Sequence, residues 1–339
     1  MNTTVSFPGL GIGEFTVDRV AFELFGKPIY WYGVIIMLGM VAAFIHAIVR
    51  SKREGFSSDD VLDIGIFTVL FGVLGARLYY VLTTLDTHEY KTFIDVIAVW
   101  EGGLAIYGGI IGGCTALVLT AVYKKINPLK VMDAVGPGVM IAQAIGRWGN
   151  FMNGEAFGYE VPADSLLYPF RMGLLSGYTE TGNVMHYYHP TFLYESLWNI
   201  AGFVLICFLY RKKKFNGQVA LMYFTWYGFG RMFIEGLRTD SLYVGPFRIS
   251  QVVGAVCFVA GAALIAVGTI LVNKGKLEKW LTVRWAEPVP AEGEAVAEKT
   301  DGGETEGATV VENETETEND ENEFSADEAD AVDTDTDIE

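Results

Sequence analysis

Three arginines stand where arginine is costly. Arg77 (in LGARLYY), Arg147 (in IGRWGNF) and Arg231 (in FGRMFIE) each interrupt a long apolar run. Placing an arginine at the centre of such a run costs about 2.5–3.5 kcal/mol on membrane-insertion scales, so each needs a partner or a task. A planar guanidinium suits an oxyanion better than a lysine ammonium does. Polar companions follow closely in sequence. Asn150, Asn153 and Glu155 come after Arg147, and Glu235 and Arg238 after Arg231. On a continuing helix Arg147 and Asn150 share a face, and Arg231 can pair with Glu235. The chemistry on offer is anion binding with spare acid–base capacity. Two plainer arrangements use the same residues. Each arginine can offset the negative C-terminal end of its own helix and snorkel outward, or the set can form an ion-pair network that only stabilises the fold. No Ser-His-Asp order, nucleophile elbow, HExxH motif or P-loop occurs, so covalent serine catalysis and metal catalysis have no support.

The elements that must hold these arginines are apolar segments of bilayer length, about 20 residues each. Seven are predicted, at about 29–49, 60–84, 104–123, 131–151, 191–210, 218–235 and 248–272. Lys and Arg cluster after the first, third, fifth and seventh: Arg50-Ser51-Lys52-Arg53, Lys124-Lys125 with Lys130, Arg211 to Lys214, and Lys274, Lys276 and Lys279. By the positive-inside rule these loops are cytoplasmic, with the N-terminus outside. The fold class expected is an all-α integral membrane protein of seven transmembrane helices with a small extracytoplasmic cap. All three arginines then lie near the outer ends of the second, fourth and sixth spans. The abundant anion at that depth is a phospholipid headgroup.

Charge and composition set the remaining bounds. The 339 residues carry a net charge of −17, yet 51% are hydrophobic. Residues 286–339 hold 21 acidic residues and one lysine, whereas 1–285 are nearly balanced, with 23 basic and 20 acidic residues. The acidity belongs to a tail that cannot bury enough apolar surface to fold. A nearly neutral, apolar body excludes nucleic acid as a partner and excludes a single water-soluble globule. The N-terminus lacks the pattern of a removable signal peptide. Residues 1–28 are therefore an extracytoplasmic segment, 29–273 the membrane domain, 274–285 a basic juxtamembrane stretch and 286–339 a disordered cytoplasmic tail. Within the membrane domain, 85–100 reads as interfacial, because Phe93, Ile94, Ile97 and Trp100 recur at helical spacing. Residues 152–190 are too aromatic for a linker and form the cap. Gly108-Gly109 and Gly112-Gly113 predict a close helix–helix approach. Cys114, Cys207 and Cys257 lie in apolar runs with no ligand spacing and read as core residues. Of the four histidines, His189 opens the fifth span and is either a base or a helix-start residue; His46 reads as structural and His88 as solvated.

The run Gly146 to Gly158 (GRWGNFMNGEAFG) resembles the signature G-R-x-G-N-F-x-N-x-E-x-x-G of bacterial prolipoprotein diacylglyceryl transferases. Trp31-Tyr32-Gly33, Gly102-Gly103 followed by Gly108-Gly109, His189-Pro190-Thr191 with Tyr194-Glu195, and Arg231 to Glu235 resemble the same family, which covers about residues 25–273. The resemblance implies a multi-pass enzyme of the bacterial cytoplasmic membrane. Its substrates would be phosphatidylglycerol and the lipobox cysteine of a prolipoprotein. It would form a thioether, release glycerol phosphate and need no cofactor. It also implies that Arg147 holds the lipid phosphate, that Asn150, Asn153, Glu155 and Gly158 shape the pocket, that Arg231 and Glu235 form a paired gate or second phosphate contact, and that Tyr32 faces the cavity. Arg77 and His189 complete the expected substrate-binding set. One departure stands out: many members carry histidine before the Gly-Gly pair, and here the residue is Tyr107. The thiol's proton acceptor is then Tyr107, Glu155 or no dedicated base. A transporter or lipid flippase using the same arginines is the rival reading; against it, the halves of the bundle show no internal repeat.

Overall fold

The computed structural model describes residues 3–87, 90–179, 182–239 and 241–283. The acidic tail and His88 lie outside the described residues. Each predicted apolar segment lies on a helix: α1 (Trp31–Glu54), α2 (Ser58–Thr83), α4 (Ile106–Tyr123), α5 (Pro128–Asn153), α6 (Thr191–Leu209), α7 (Gln218–Ile234) and α8 (Ile249–Asn273). A short helix, α3 (Phe93–Ile97), precedes α4. Five of these are long and apolar enough to cross a membrane: α1, α2, α4, α6 with the turn that follows it, and α8. The protein is thus mostly helical, with apolar helices of membrane-spanning length. α7 has 17 residues. α5 carries Asp133, Gln143, Arg147 and Asn150 along its length.

Local sequence sets the helix ends. Ser57 and Asp60 form a reciprocal capping box that starts α2. Asn127 caps α5 by accepting from the Leu129 amide, and Pro128 fills its first position. Gly154 ends α5 in the left-handed conformation, φ +64°. Small residues then let backbones approach. A Cβ on Gly75 of α2 would sit 2.5 Å from the Gly108 carbonyl oxygen of α4, and one on Gly112 would sit 2.3 Å from that of Phe71. The glycine spacing of α4 is used for packing, as the sequence predicts. Gly138 of α5 also approaches α1, where a Cβ would sit 2.9 Å from the Ala43 carbonyl oxygen.

At one end of the helices lies a four-stranded antiparallel sheet. Its strands are β1 (Thr3–Phe7), β2 (Ile12–Val17), β5 (Met172–Thr179) and β6 (Gly182–Tyr188), in the order β2-β1-β5-β6. Val5 of β1 pairs with Leu174 of β5. Val5, Phe7, Val17, Met172, Leu174 and Phe192 form a core beneath it. The N-terminal segment and the aromatic loop, read from the sequence as separate pieces, therefore share one small domain. A second hairpin, β3 (Val20–Leu24) with β4 (Lys27–Tyr30), leads into α1. A third, β7 (Tyr243–Val244) with β8 (Phe247–Arg248), leads into α8.

At the other end a buried ionic cluster joins four elements. The Lys213 ammonium lies 2.6 Å from Glu54 of α1 and 3.0 Å from Asp133 of α5. The Tyr210 hydroxyl donates to Glu54, and Asp133 accepts from the Gly217 and Ala220 amides that open α7. Residues 280–282 fold back onto the α6–α7 connection, where the Asn216 side chain donates to the carbonyls of Trp280 and Thr282.

Candidate active site

The sheet end of the helices holds the predicted polar residues. Arg147 projects from the last two turns of α5, Arg231 from the last turn of α7, and Arg238 follows the turn Glu235–Leu237. All three converge on one carboxylate, Glu195, in the second turn of α6. Arg147 lies 2.8 Å from its Oε2, while Arg231 and Arg238 lie 2.8 and 2.9 Å from its Oε1. Arg231 also pairs with Glu235 at 2.6 Å, the i,i+4 contact expected from spacing. Glu195 and Glu235 are buried, whereas Arg147 retains 20% side-chain exposure. Of the three guanidiniums Arg147 is the most exposed, and it offers its charge to the surroundings. In a low-dielectric setting that charge attracts an anion strongly.

Backbone packing fixes this geometry. The Gly158 amide donates to the His189 carbonyl, and the Tyr159 amide to that of Leu237. A Cβ on Gly158 would sit 2.6 Å from the Leu237 carbonyl oxygen and 2.7 Å from the His189 Cβ, so only glycine fits. This junction ties the start of α6 to the turn after α7, and so sets Glu195 against Arg238. Between α5 and α6, the Trp148 indole donates to the Ser196 hydroxyl, which donates to the Ala144 carbonyl. Beyond α5, Arg147 donates to Asn150, and Asn150 and Asn153 both donate to Glu155 Oε1, at 3.1 and 3.3 Å. Glu155 is exposed, so a carboxylate with accessible lone pairs stands one hydrogen-bonded residue away from Arg147.

Residues 19–267 match the family described as prolipoprotein diacylglyceryl transferase. The chain belongs to the prolipoprotein diacylglyceryl transferase family. It is 42% identical over 253 residues to the phosphatidylglycerol–prolipoprotein diacylglyceryl transferase of Streptococcus uberis, covering 74% of this chain and 94% of that one. It is 38% identical over 266 residues to the protein of that name in Listeria innocua (78% and 94% covered). It is 42% identical over 245 residues to that of Clostridioides difficile (72% and 93% covered).

Within this family member the remaining predicted residues fall in different places. Tyr32, in the first turn of α1, packs its ring against Gly149 of α5, two residues from Arg147. His189 is buried beside Gly158, with Nδ1 3.4 Å from the Tyr194 hydroxyl, and burial lowers its pKa. Among the described residues no side-chain hydrogen bond joins it to the cationic cluster. Tyr107 lies in the first turn of α4, and among the described residues no hydrogen bond joins it to the arginines. Arg77 corrects the sequence reading. It does not join the other two arginines: its guanidinium donates to the carbonyls of Asp95, Val96, Gly102 and Gly103. It pins the segment containing α3 over the end of α2, and its charge is spent on backbone dipoles. The residues that sequence reasoning missed as site members are Glu195, which it noted only inside a motif, and Arg238, which it noted only as a neighbour. The available signal was an unpaired carboxylate inside an apolar run.

Proposed function

We propose that this protein is a multi-pass enzyme of a bacterial cytoplasmic membrane that transfers the diacylglyceryl group of phosphatidylglycerol to the lipobox cysteine of a prolipoprotein. The observation that carries the reading is the convergence of Arg147, Arg231 and Arg238 on Glu195 in a chain of this family. In this reading α1, α2 and α4 to α8 all cross the bilayer. The lysine- and arginine-rich loops face the cytoplasm, the N-terminus lies outside, and the sheet forms an extracytoplasmic cap over the arginines. The exposed side chains of Phe93, Ile94 and Trp100 rest at the outer interface. The 286–339 tail is cytoplasmic. The halves of the bundle show no internal repeat and the relatives named above are transferases, so transport has no support.

The reaction asks modest things of the protein. The cysteine sulfur attacks the glycerol carbon bearing the phosphate; a C–S bond forms, the C–O bond breaks, and glycerol phosphate leaves with the bonding pair. Arg147 and Arg231 hold the phosphate and stabilise the charge that grows on it, worth about 3–4 kcal/mol for a well-aimed donor. Glu235 orients Arg231. Glu155, steadied by Asn150 and Asn153, takes the thiol proton. Guanidiniums nearby raise the thiolate fraction of a group whose pKa is ordinarily about 8.5. Tyr32, Gly158 and His189 shape the wall. Tyr107 stands apart from the proton path, and Arg77 serves the fold. No cofactor and no nucleic acid take part.

Purified protein in detergent, phosphatidylglycerol and a lipobox peptide test the reading by mass spectrometry. It expects a gain of one diacylglyceryl group on the peptide's cysteine, absent from a Cys→Ser peptide. A folded protein that yields no adduct overturns it.

A further inference from the structure

One cation at the cap has no task in the scheme above. Arg19 lies in the short turn between β2 and β3, where its carbonyl accepts from the Trp31 amide that opens α1. The neighbouring Asp18 carboxylate accepts from the Val20 amide. The Arg19 side chain makes no hydrogen bond or ion pair with any described residue. Its Nε is buried without a partner, while its two terminal nitrogens are not buried. Withdrawing a charged donor from water without an acceptor is costly. The guanidinium rests against the end of α5: a Cβ on Gly154 would sit 3.6 Å from its Nη2 and 2.9 Å from the Thr3 hydroxyl oxygen of β1. A turn of the cap thus holds an unpaired guanidinium at the C-terminal end of the helix that carries Arg147.

This position continues the line of polar groups that begins at Arg147. Asn150 and Asn153 lead to Glu155, and Gly154 lies between the last two in sequence. From Arg147 to Gly154 is about 10 Å along the helix by residue count. Arg147 is turned onto Glu195 and Asn150, so the two guanidiniums address successive positions. The negative end of α5 is not what holds Arg19. The Asn150 and Phe151 carbonyls accept from the Gly154 and Glu155 amides, and Arg19 bonds to neither. In the reaction proposed above, a phosphate ester leaves Arg147 with added negative charge, and Glu155 is neutral once it holds the thiol proton. Arg19 is then an unpaired cation on the outward side of that phosphate. We propose that Arg19 is a second phosphate-binding position, outward of Arg147, whose terminal nitrogens fork the oxygens of a glycerophosphate. The ligand is either the released glycerol phosphate or the headgroup of a donor lipid. This rests on the reading that Arg147 and Arg231 hold the lipid phosphate.

The test uses the full-length protein in detergent and two readouts. Binding of glycerol phosphate is followed by phosphorus NMR line broadening, and the transfer assay gives the KM for phosphatidylglycerol. Arg19→Gln is expected to weaken at least one of these about tenfold, the scale of one lost charge-assisted hydrogen bond, and to keep kcat within about threefold. Weaker glycerol phosphate binding at unchanged lipid KM assigns the position to the leaving group. A raised lipid KM at unchanged glycerol phosphate binding assigns it to the donor headgroup. The melting temperature is expected to stay unchanged, because the side chain bonds to no described residue. Arg19→Lys keeps the charge without the fork, is expected to show a smaller loss of the same kind, and serves the comparison if glutamine disturbs the turn. No change in either readout overturns the assignment. Lys27→Gln, which removes a charge from the adjoining hairpin, is expected to alter neither; an effect equal to that of Arg19→Gln also overturns the assignment, because the cap's overall field is then what acts. A wild type that transfers nothing yet binds glycerol phosphate through Arg19 overturns the proposed activity and leaves this position standing.

Discussion

Arg147 on α5 and Glu195 on α6 meet at 2.8 Å across the interface between their helices. The same carboxylate receives Arg231 and Arg238 on its other oxygen. Glu195 is therefore the fixed point from which three guanidiniums are aimed. Replacing it by glutamine removes the charge but keeps the shape. The three guanidiniums would then lose the carboxylate that they share. Breaking such a buried set by removing one partner costs about 3–5 kcal/mol. The expected outcome for Glu195→Gln is a melting temperature lowered by several degrees and transfer reduced about 10²-fold. A thermal melt in detergent and the peptide mass shift check the two effects separately.

The distance between partners decides how much of this site was legible in the sequence. Arg231 and Glu235 are four residues apart on one helix, and their pairing follows from helical geometry. Arg147 with Asn150 is legible for the same reason. Glu195 reaches Arg231 and Arg238 across 36 and 43 residues, and no periodicity links them. The helices were legible because apolar runs of bilayer length have few other readings. The cap was only half legible. The strand β1 pairs with β5, some 170 residues away, and five residues carry too short an alternation to announce it.

Arg77 was misread because its partners are backbone carbonyls, which leave no trace in sequence. Its prediction differs accordingly from that of Arg147. Arg77→Ala leaves the Asp95, Val96, Gly102 and Gly103 carbonyls without their donor and frees the segment from 91 to 105. Hydrogen exchange is expected to speed up there and not in α5. Arg147→Ala is expected to abolish transfer with no change in exchange at 91–105.

Lys213 supplies a prediction remote from the reaction. It is fully buried between Glu54 and Asp133, about 20 Å along α5 from Arg147 by residue count. Lys213→Met leaves two buried carboxylates facing each other. A loss of about 3–5 kcal/mol is expected, read as a large fall in melting temperature. The protein that remains folded is expected to keep its KM for the lipid, because the arginine cluster does not touch this end.

The proton acceptor separates two residues that the sequence left equivalent. Glu155 is exposed, accepts from both Asn150 and Asn153, and is linked through Asn150 to Arg147. Tyr107 has no such link among the described residues, and a phenol is a weak base at neutral pH. Loss of a general base ordinarily costs 10²-fold or more in turnover. Glu155→Gln keeps the amide contacts within reach but cannot take a proton, and is expected to lower kcat by about 10²-fold with a smaller change in KM. Raising the pH should recover part of that loss, because the thiolate then forms without help. Tyr107→Phe is expected to stay within about tenfold of the wild type. The reverse pattern, a severe Tyr107→Phe defect beside an active Glu155→Gln enzyme, would move the proton to α4 and require the peptide to approach from that side of the cluster.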